Sequence, residues 1–266
     1  MQSVVIENTD VRVSRIAFGT ASLHHLLSSK RRQHLLETAA VAGITHFDTS
    51  PYYGYGLAES DLGVFLAGRR ELFTVTTKVG LYPWGGPSHG IAGVWSRKAL
   101  GRVWSRVAKP IVDWHVEMAA RSLNDSLRRL KTNYVDFVFL HEPALALVQT
   151  DEFSLWLERE RAKGKLRYWG LAGVPTLLAP WIAAENRLAV VLQTQDSVEQ
   201  KEADLLVDAG RRLQFTYGYL SSSANEIESP SAAIRLGRAL QRNATGCVLV
   251  SSRCPERVAE LGRVEP

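Results

Sequence analysis

Short β-rich runs alternate with helical patterns along most of the chain, and this order constrains the fold more than any other feature. We predict eight strands, at residues 15–18, 45–48, 73–78, 136–140, 167–171, 190–194, 213–217 and 246–250. No linker or shift of composition interrupts the 266 residues. The pattern therefore predicts an α/β fold in one domain, residues 1–266, built as a single (β/α)8 TIM barrel.

A doubly wound sheet is the competing architecture. Against it, no predicted strand is followed by a Gly-x-Gly-x-x-Gly fingerprint or by a Gly-x-x-x-x-Gly-Lys phosphate loop. Before the barrel, residues 4–6 and 11–13 flank Asn8-Thr9-Asp10, which predicts a small N-terminal β-hairpin. Helix starts are expected at Ser28 or Ser29, as a cap, and at Ser229-Pro230.

Residues 79–110 depart from the alternation. They are rich in glycine and tryptophan, so we predict a long loop without a regular element, and loops of this length are usually functional. Its tryptophans Trp84, Trp95 and Trp104 could line an apolar pocket or pack the loop onto the barrel. The sequence leaves both options open.

Composition excludes several classes of protein. The net charge of +5 comes from lysines and arginines that are dispersed rather than clustered, so we expect a solvated surface and no nucleic-acid partner. The two cysteines, Cys247 and Cys254, do not form a disulfide framework. Residues 1–10 lack a leader-like pattern and no apolar run reaches about 18 residues. We therefore expect a cytoplasmic protein that is not inserted in a membrane.

Polar residues follow the predicted strands at one end of the expected barrel. Side chains just past the C-terminal ends of barrel strands converge on one mouth. The residues at these positions are Gly19, Thr20, Asp48, Tyr53, Lys78, His141, Gln193, Tyr217, Ser251, Ser252 and Arg253.

Four of these residues suggest a reaction. A phenol has a pKa of roughly 10, and a nearby ammonium favours its ionised form. We therefore expect Lys78, held charged by Asp48, to lower the pKa of Tyr53, which would donate a proton to a carbonyl oxygen. His141 would orient that oxygen as a neutral donor. Each residue alone has an ordinary structural explanation, but the four residues together, at the ends of three consecutive strands, favour an active site for proton transfer coupled to hydride transfer.

Three segments carry a resemblance to a known family. Residues 47–54, Phe-Asp-Thr-Ser-Pro-Tyr-Tyr-Gly, residues 76–80, Thr-Thr-Lys-Val-Gly, and residues 126–130, Ser-Leu-Arg-Arg-Leu, followed by Asp136 and His141, resemble the aldo-keto reductases. The resemblance implies a (β/α)8 barrel that binds NADP(H), or less often NAD(H). It also implies an enzyme that interconverts an aldehyde or ketone and an alcohol.

The resemblance assigns roles to matched positions. Tyr53 corresponds to the general acid, Lys78 and Asp48 to the partners that lower its pKa, and His141 to the residue that orients the carbonyl. Gln193 corresponds to the ligand of the nicotinamide carboxamide and Tyr217 to the ring that stacks on the nicotinamide. The implied cofactor-binding set is Gly19, Thr20, Asp48, Gln193, Tyr217, Ser251, Ser252, Arg253 and Arg257, and the expected substrate pocket includes Tyr52, Trp84 and Trp95.

The chain departs from the family pattern at three places. Ala172-Gly173 replace a Ser-Asn pair that holds the carboxamide in relatives, and the connection between Tyr217 and Ser229 is short. Ser251 stands where many NADP-preferring relatives have lysine. Arg253 and Arg257 could still bind a 2′-phosphate near the last helix's N-terminus, so we expect NADP(H) rather than NAD(H).

Two other functions stay open. A cofactor-binding or regulatory protein of the same fold, with little or no redox turnover, would explain the missing pair and the short connection. A barrel hydrolase with His141 and Glu142 as metal ligands is disfavoured because no other histidine stands at a strand end, and we predict no metal. The expected partner is a small carbonyl or alcohol substrate, and the expected assembly is a monomer or a weak homo-oligomer.

Overall fold

A computed structural model describes residues 1–86, 90–103, 109–220 and 231–264 of the chain. Eight parallel strands form a closed barrel in the spatial order β10-β11-β12-β3-β4-β5-β8-β9. These strands are β3 (Ile16–Gly19), β4 (His46–Asp48), β5 (Thr74–Val79), β8 (Val135–His141), β9 (Leu166–Gly173), β10 (Val191–Gln195), β11 (Phe215–Tyr217) and β12 (Cys247–Val250). The predicted (β/α)8 barrel is confirmed.

Helices surround the barrel. They are α1 (Ser29–Val41), α2 (Leu57–Leu66), α3 (Gly90–Val103), α4 (Val116–Arg129), α5 (Thr150–Ala162), α6 (Pro175–Ala183), α7 (Asp204–Val207), α8 (Ala232–Arg242) and α9 (Pro255–Glu260). A large apolar cluster lies between these helices and the outer face of the strands. No helix in the described residues is long and apolar enough to cross a membrane.

The N-terminal hairpin is also confirmed. Strands β1 (Ser3–Val5) and β2 (Arg12–Ser14) pair antiparallel, with Val4 opposite Val13. Ile6, Val11 and Val13 are buried in one cluster with Phe137 and Phe215, near the starts of β8 and β11. The hairpin thus closes the N-terminal end of the barrel, which leaves the opposite end as the mouth.

The prediction of an irregular loop at residues 79–110 is wrong for the described part. Strands β6 (Leu81–Pro83) and β7 (Pro110–Val112) pair antiparallel, and α3 lies between them in the chain. Glycines at 90, 93 and 101 disfavour a helix by intrinsic propensity, but the buried Val94 of α3 packs against Tyr55 and Leu57. Tertiary packing therefore outweighs local preference. Trp104 lies outside the described residues.

Of the two predicted helix starts, the structure describes the one at Ser28 or Ser29. Ser28 occupies the N-cap of α1, but its side chain makes no capping hydrogen bond. The predicted start at Ser229-Pro230 lies outside the described residues. The N-cap of α8 is Ser231, whose side chain accepts a hydrogen bond from the Ile234 amide.

Candidate active site

A cavity of about 630 Å³ opens at the C-terminal ends of the barrel strands. It is the place where most of the predicted site residues meet. Its lining comprises Gly19, Ala21, Asp48, Tyr52, Tyr53, Lys78, Leu81, Pro110, His141, Glu142, Ala172, Gly173, Gln193, Tyr217, Gly218, Leu220, Leu249, Val250 and Ser251.

Asp48 and Lys78 form a buried ion pair at the base of the cavity. Asp48 ends β4 and lies opposite Thr76 of the neighbouring strand β5, so Lys78, two residues further along β5, has its side chain on the same face. The Lys78 ammonium donates to both carboxylate oxygens of Asp48, at 2.6 and 2.7 Å, and to the Thr49 carbonyl at 3.1 Å. All three ammonium protons therefore have acceptors within the protein. Burial lowers the pKa of Lys78, and the carboxylate of Asp48 opposes that shift.

Gln193 joins this pair from the other side of the barrel. Its side-chain amide donates to Oδ1 of Asp48 at 2.8 Å, and the residue is only 2% exposed. No pattern in the sequence predicts this bond. The carbonyl oxygen of the same side chain accepts no hydrogen bond from the described residues, so it is available to an amide N–H in the cavity.

Tyr53 is placed beside the pair by an unusual turn. After Pro51 the chain forms the short 3₁₀ helix Tyr53–Gly56, in which Gly54 and Tyr55 have φ values of 57° and 56°. The Tyr53 ring centroid lies 5.0 Å from the Lys78 ammonium. This geometry is a cation–π contact, and Lys78 Nζ donates its hydrogen bonds to Asp48 and Thr49 rather than to the phenol.

The pKa of Tyr53 is raised well above its ordinary value, chiefly by burial and further by the charges of Asp48 and Glu142. Burial and these two negative charges therefore give a net shift opposite in direction to the lowering expected from Lys78. The Lys78 ammonium is held by two hydrogen bonds to Asp48, and its own effect on the Tyr53 pKa stays a prediction. A phenol with a raised pKa stays protonated at neutral pH, so Tyr53 retains the proton that a general acid needs.

His141 ends β8 and faces Tyr53 across the cavity. The two rings meet edge to face with centroids 6.0 Å apart. Burial, together with the positive charge of Lys78, lowers the pKa of His141 well below its usual value. The imidazole is therefore neutral at physiological pH. Its Nδ1 is buried without a partner among the described residues, while the ring lines the cavity.

The predicted cofactor residues divide into two groups. Gly19, Asp48, Gln193, Tyr217 and Ser251 line the cavity. Ser251 donates to the Gly19 carbonyl at 2.9 Å, and a Cβ on Gly19 would approach the Ser251 hydroxyl to 2.6 Å. The absence of a side chain at Gly19 therefore allows the Ser251 hydroxyl to lie close to the backbone of β3.

The remaining predicted cofactor residues lie off the cavity. Thr20 is fully buried, and its hydroxyl donates to the Asp48 carbonyl at 3.0 Å, which is a structural contact. Ser252 accepts a hydrogen bond from the Cys254 amide. Arg253 and Arg257 are exposed, and neither guanidinium has an ion-pair partner among the described residues.

The cavity fits a nicotinamide group in part. Gln193 offers a free carbonyl oxygen and Tyr217 a flat ring, whereas Ala172 and Gly173 line the wall without a side-chain donor or acceptor. Ala172 lies between His141 and Gln193 in the strand register. This wall can therefore hold a carboxamide only through Gln193 or through backbone groups.

The predicted substrate pocket needs correction. Tyr52 lines the cavity as expected, but Trp84 and Trp95 do not, and they are 47% and 40% exposed. Leu81 and Pro110 supply the wall instead, because the pairing of β6 with β7 turns these two residues toward the mouth. The sequence signal that could have identified Leu81 is the short apolar run of Leu81 and Tyr82, whose residues are all buried in β6.

Glu142 was considered in the sequence only as a possible metal ligand. The described residues contain no group of three or more histidine, cysteine, aspartate or glutamate side chains that could hold a metal ion. Glu142 instead lines the cavity directly after His141, with φ of 54°.

Comparison with known proteins places the chain in a family. The family model described as "Aldo/keto reductase family" matches residues 15–202. A curated relative, D-threo-aldose 1-dehydrogenase from Pseudomonas sp., is 28% identical over 252 residues, which are 90% of this chain and 65% of the relative. A probable voltage-gated potassium channel subunit beta from Oryza sativa subsp. japonica is 29% identical over 211 residues, 77% of this chain and 56% of that protein.

Solved structures match the fold. Aldo-keto reductase AKR11C1 from Bacillus halodurans aligns with a TM-score of 0.75 at 20% identity, over 99% of this chain and 90% of that one. An aldo-keto reductase from Klebsiella pneumoniae in complex with NADPH aligns with a TM-score of 0.68 at 18% identity, over 99% of this chain and 90% of that one. The chain spans 65% and 56% of the length of the two curated relatives named above.

Proposed function

Because this chain belongs to the aldo/keto reductase family, we propose that it is an NAD(P)(H)-dependent oxidoreductase. It interconverts an aldehyde or ketone and an alcohol by hydride transfer, with Tyr53 as the general acid and base. The observation that carries the proposal is the meeting of Tyr53, His141 and the Asp48–Lys78 pair in one cavity at the barrel mouth.

The site's own groups suit carbonyl reduction. A reduced nicotinamide, when bound, supplies the hydride. The neutral imidazole of His141 and the phenol of Tyr53 hold the carbonyl oxygen, where negative charge develops. Tyr53 then donates its proton to that oxygen. The nearby charge of Lys78 stabilises the phenolate that remains, because its ammonium lies 5.0 Å from the ring centroid.

The Asp48 carboxylate has a positioning role in this scheme. It accepts from Lys78 and from Gln193, so it fixes the ammonium under the phenol and the amide at the cavity wall. The raised pKa of Tyr53 keeps the phenol protonated at neutral pH, so the form that donates a proton in reduction predominates over the phenolate that alcohol oxidation needs. We therefore propose that reduction is faster than alcohol oxidation at neutral pH.

NADP(H) is the proposed cofactor. Arg253 and Arg257 are exposed guanidinium groups on the segment that follows β12, and Ser251 of the same segment lines the cavity. A guanidinium forks onto a phosphate with two hydrogen bonds, so these residues suit a 2′-phosphate. The fold match to a reductase bound to NADPH supports the same choice.

The proposal is tested by titrating the purified protein with NADPH and NADH, using tryptophan fluorescence, and then following cofactor oxidation with a panel of aldehydes. We expect saturable NADPH binding and turnover. In the variant Arg253→Gln/Arg257→Gln we expect about tenfold weaker NADPH binding and unchanged NADH binding. Arg212→Gln, a charge change near the hairpin at the far end of the barrel, is the control. Absence of binding by both cofactors would refute the redox function.

A regulatory protein of the same fold is the second candidate. The relative named as a probable potassium channel subunit beta favours it, as do Ala172 and Gly173 at the carboxamide wall. This candidate predicts NADPH binding with no turnover on any aldehyde of the panel. Turnover that depends on Tyr53 would exclude it.

A further inference from the structure

Glu142 places an unpaired negative charge at the mouth of the cavity. It follows His141 directly, and its amide donates to the Ala172 carbonyl at 2.6 Å. The side chain is exposed, and no lysine, arginine or histidine of the described residues forms an ion pair with it. Its backbone adopts the left-handed conformation, with φ of 54°, which is uncommon for a residue other than glycine.

The Glu142 carboxylate is close enough to other residues of the site to change their pKa values. Gly173 lies against the Glu142 backbone, because a Cβ on this glycine would approach the Glu142 Cα to 3.6 Å. Burial is the main cause of the raised pKa values of Tyr52, Tyr53 and Tyr217, and the negative charge of Glu142 adds to the shift in all three. These three tyrosines line the same cavity.

No positive charge in the described lining is free to balance Glu142. Lys78 is the cation of the lining, and its three protons are taken by Asp48 and the Thr49 carbonyl. The Asp48–Lys78 pair is neutral overall and His141 is uncharged. The lining therefore carries one net negative charge, from Glu142.

We propose that Glu142 is a specificity-determining residue that excludes anionic carbonyl substrates and favours neutral or cationic ones. This inference rests on the proposed function and names the substrate class of the same site. A carboxylate or phosphate on the substrate would meet the Glu142 charge without a compensating cation. A cationic group, or a hydroxyl that donates a hydrogen bond, would find an acceptor there.

The test uses three benzaldehydes of matched shape, with a para carboxylate, carboxamide or amidinium group. The quantity measured is kcat/KM with NADPH for the wild-type protein and for Glu142→Gln. We expect the substitution to raise kcat/KM for the carboxylate compound about fivefold relative to kcat/KM for the carboxamide compound. It should lower kcat/KM for the amidinium compound, relative to the carboxamide compound, by a similar factor. The effect is modest because the charge acts in a partly solvated site. Each ratio compares two aldehydes in one protein. Their intrinsic reactivities are the same in both proteins, so these reactivities cancel when the ratio in Glu142→Gln is divided by the ratio in the wild-type protein.

Two variants serve as controls. Glu142→Asp keeps the charge and should keep the wild-type ratios. Glu185→Gln removes an exposed glutamate that also has a positive φ, of 47°, but does not line the cavity, so its ratios should match those of the wild type. The expected change in Glu142→Gln should also shrink as salt is added. Equal ratios in the wild-type protein and Glu142→Gln would overturn the proposal.

A failure of the proposed redox function can be distinguished from a failure of the Glu142 proposal. If the wild-type protein binds neither NADPH nor NADH, the redox function is wrong, and calorimetric titration of the three aldehydes still tests Glu142. Tightest binding of the amidinium compound, lost in Glu142→Gln, would support the charge selection. Equal affinities for the three compounds would overturn it.

Discussion

Gln193 and Lys78 both donate hydrogen bonds to Oδ1 of Asp48, at 2.8 and 2.6 Å, although Gln193 is 145 residues from Asp48 in the chain. One buried carboxylate oxygen thus ties β10 to β4 and β5. The Asp48→Asn substitution would leave the Lys78 ammonium buried without a charged partner. We expect it to lower the free energy of unfolding by about 3–5 kcal/mol, as for other broken buried pairs.

A double variant that removes both charges of the Asp48–Lys78 pair is the control for Asp48→Asn. Asp48→Asn/Lys78→Met leaves no uncompensated ion, so it should be more stable than Asp48→Asn alone. Urea denaturation of the two single variants and the double variant gives the coupling energy. If Asp48→Asn is as stable as the wild-type protein, the buried pair does not have the energetic role described here.

Leu81, rather than Trp84, should control the affinity for apolar aldehydes. Leu81 lines the cavity and is 7% exposed, whereas Trp84 lies off the cavity. Leu81→Ala removes apolar surface from the wall, and the loss of up to about 2 kcal/mol predicts a KM up to about 30-fold higher. Trp84→Ala is the comparison and should leave KM unchanged. The reverse order of effects would restore the original prediction for Trp84.

Gly80 should tolerate no side chain. It has φ of 105°, and a Cβ would come within 2.1 Å of the Trp114 ring. Gly80→Ala should therefore cost the left-handed strain of about 1 kcal/mol plus overpacking of about 1–3 kcal/mol. Gly68→Ala isolates the strain, because Gly68 has φ of 76° with no atom within 4 Å of the added Cβ. In thermal or urea unfolding, Gly80→Ala should be less stable than Gly68→Ala. Equal stability of the two variants would show that the Trp114 contact is not rigid.

His46 should make the fold sensitive to acid. It is buried inside the barrel with Thr74 and Thr76 as hydrogen-bond partners, and burial lowers its pKa to about 4. Between pH 6.5 and about 4 the unfolded chain binds a proton that the folded protein does not. The free energy of unfolding therefore falls as pH decreases through this window, by up to about 3 kcal/mol from His46. His141, whose pKa is also lowered, acts in the same direction.

The contribution of His46 is measured from the slope of the free energy of unfolding against pH. His46→Gln should flatten the dependence of unfolding free energy on pH between about 4 and 6.5, even if it lowers stability at every pH. His34→Gln, at an exposed histidine of α1, is the control and should leave the slope unchanged. An identical slope in wild-type protein and His46→Gln would show that His46 is protonated equally in both states.

The barrel was predictable because its strands are apolar runs between helical patterns, a signal that is local to each segment. Helix α3 was not, because its stabilising contact, between Val94 and the Tyr55 loop, joins segments that are separate in the chain. The same holds within the site. Asp48, Tyr53, Lys78 and His141 follow predictable strand ends, so their meeting at one mouth could be expected from the fold.

The finer properties of the site depend on contacts that no sequence pattern reports. The direction of the Tyr53 pKa shift depends chiefly on the burial of the phenol, and then on the charges of Asp48 and Glu142. Thr20 follows a strand like the other predicted residues, yet its hydroxyl is used by the Asp48 backbone. Residue type and position thus predicted where the site lies, whereas hydrogen-bond partners decide what each side chain can do in it.

The most direct test of the central proposal is the fate of deuterium in wild-type protein and in Tyr53→Phe. NADPH labelled at the hydride-donating ring carbon is incubated with an aldehyde, and the alcohol is analysed by mass spectrometry. We expect the wild-type protein to transfer deuterium to the former carbonyl carbon, and Tyr53→Phe to bind NADPH equally well but turn over about 10²–10⁴-fold more slowly. Unlabelled alcohol, or undiminished turnover in Tyr53→Phe, would contradict hydride transfer coupled to proton donation by Tyr53.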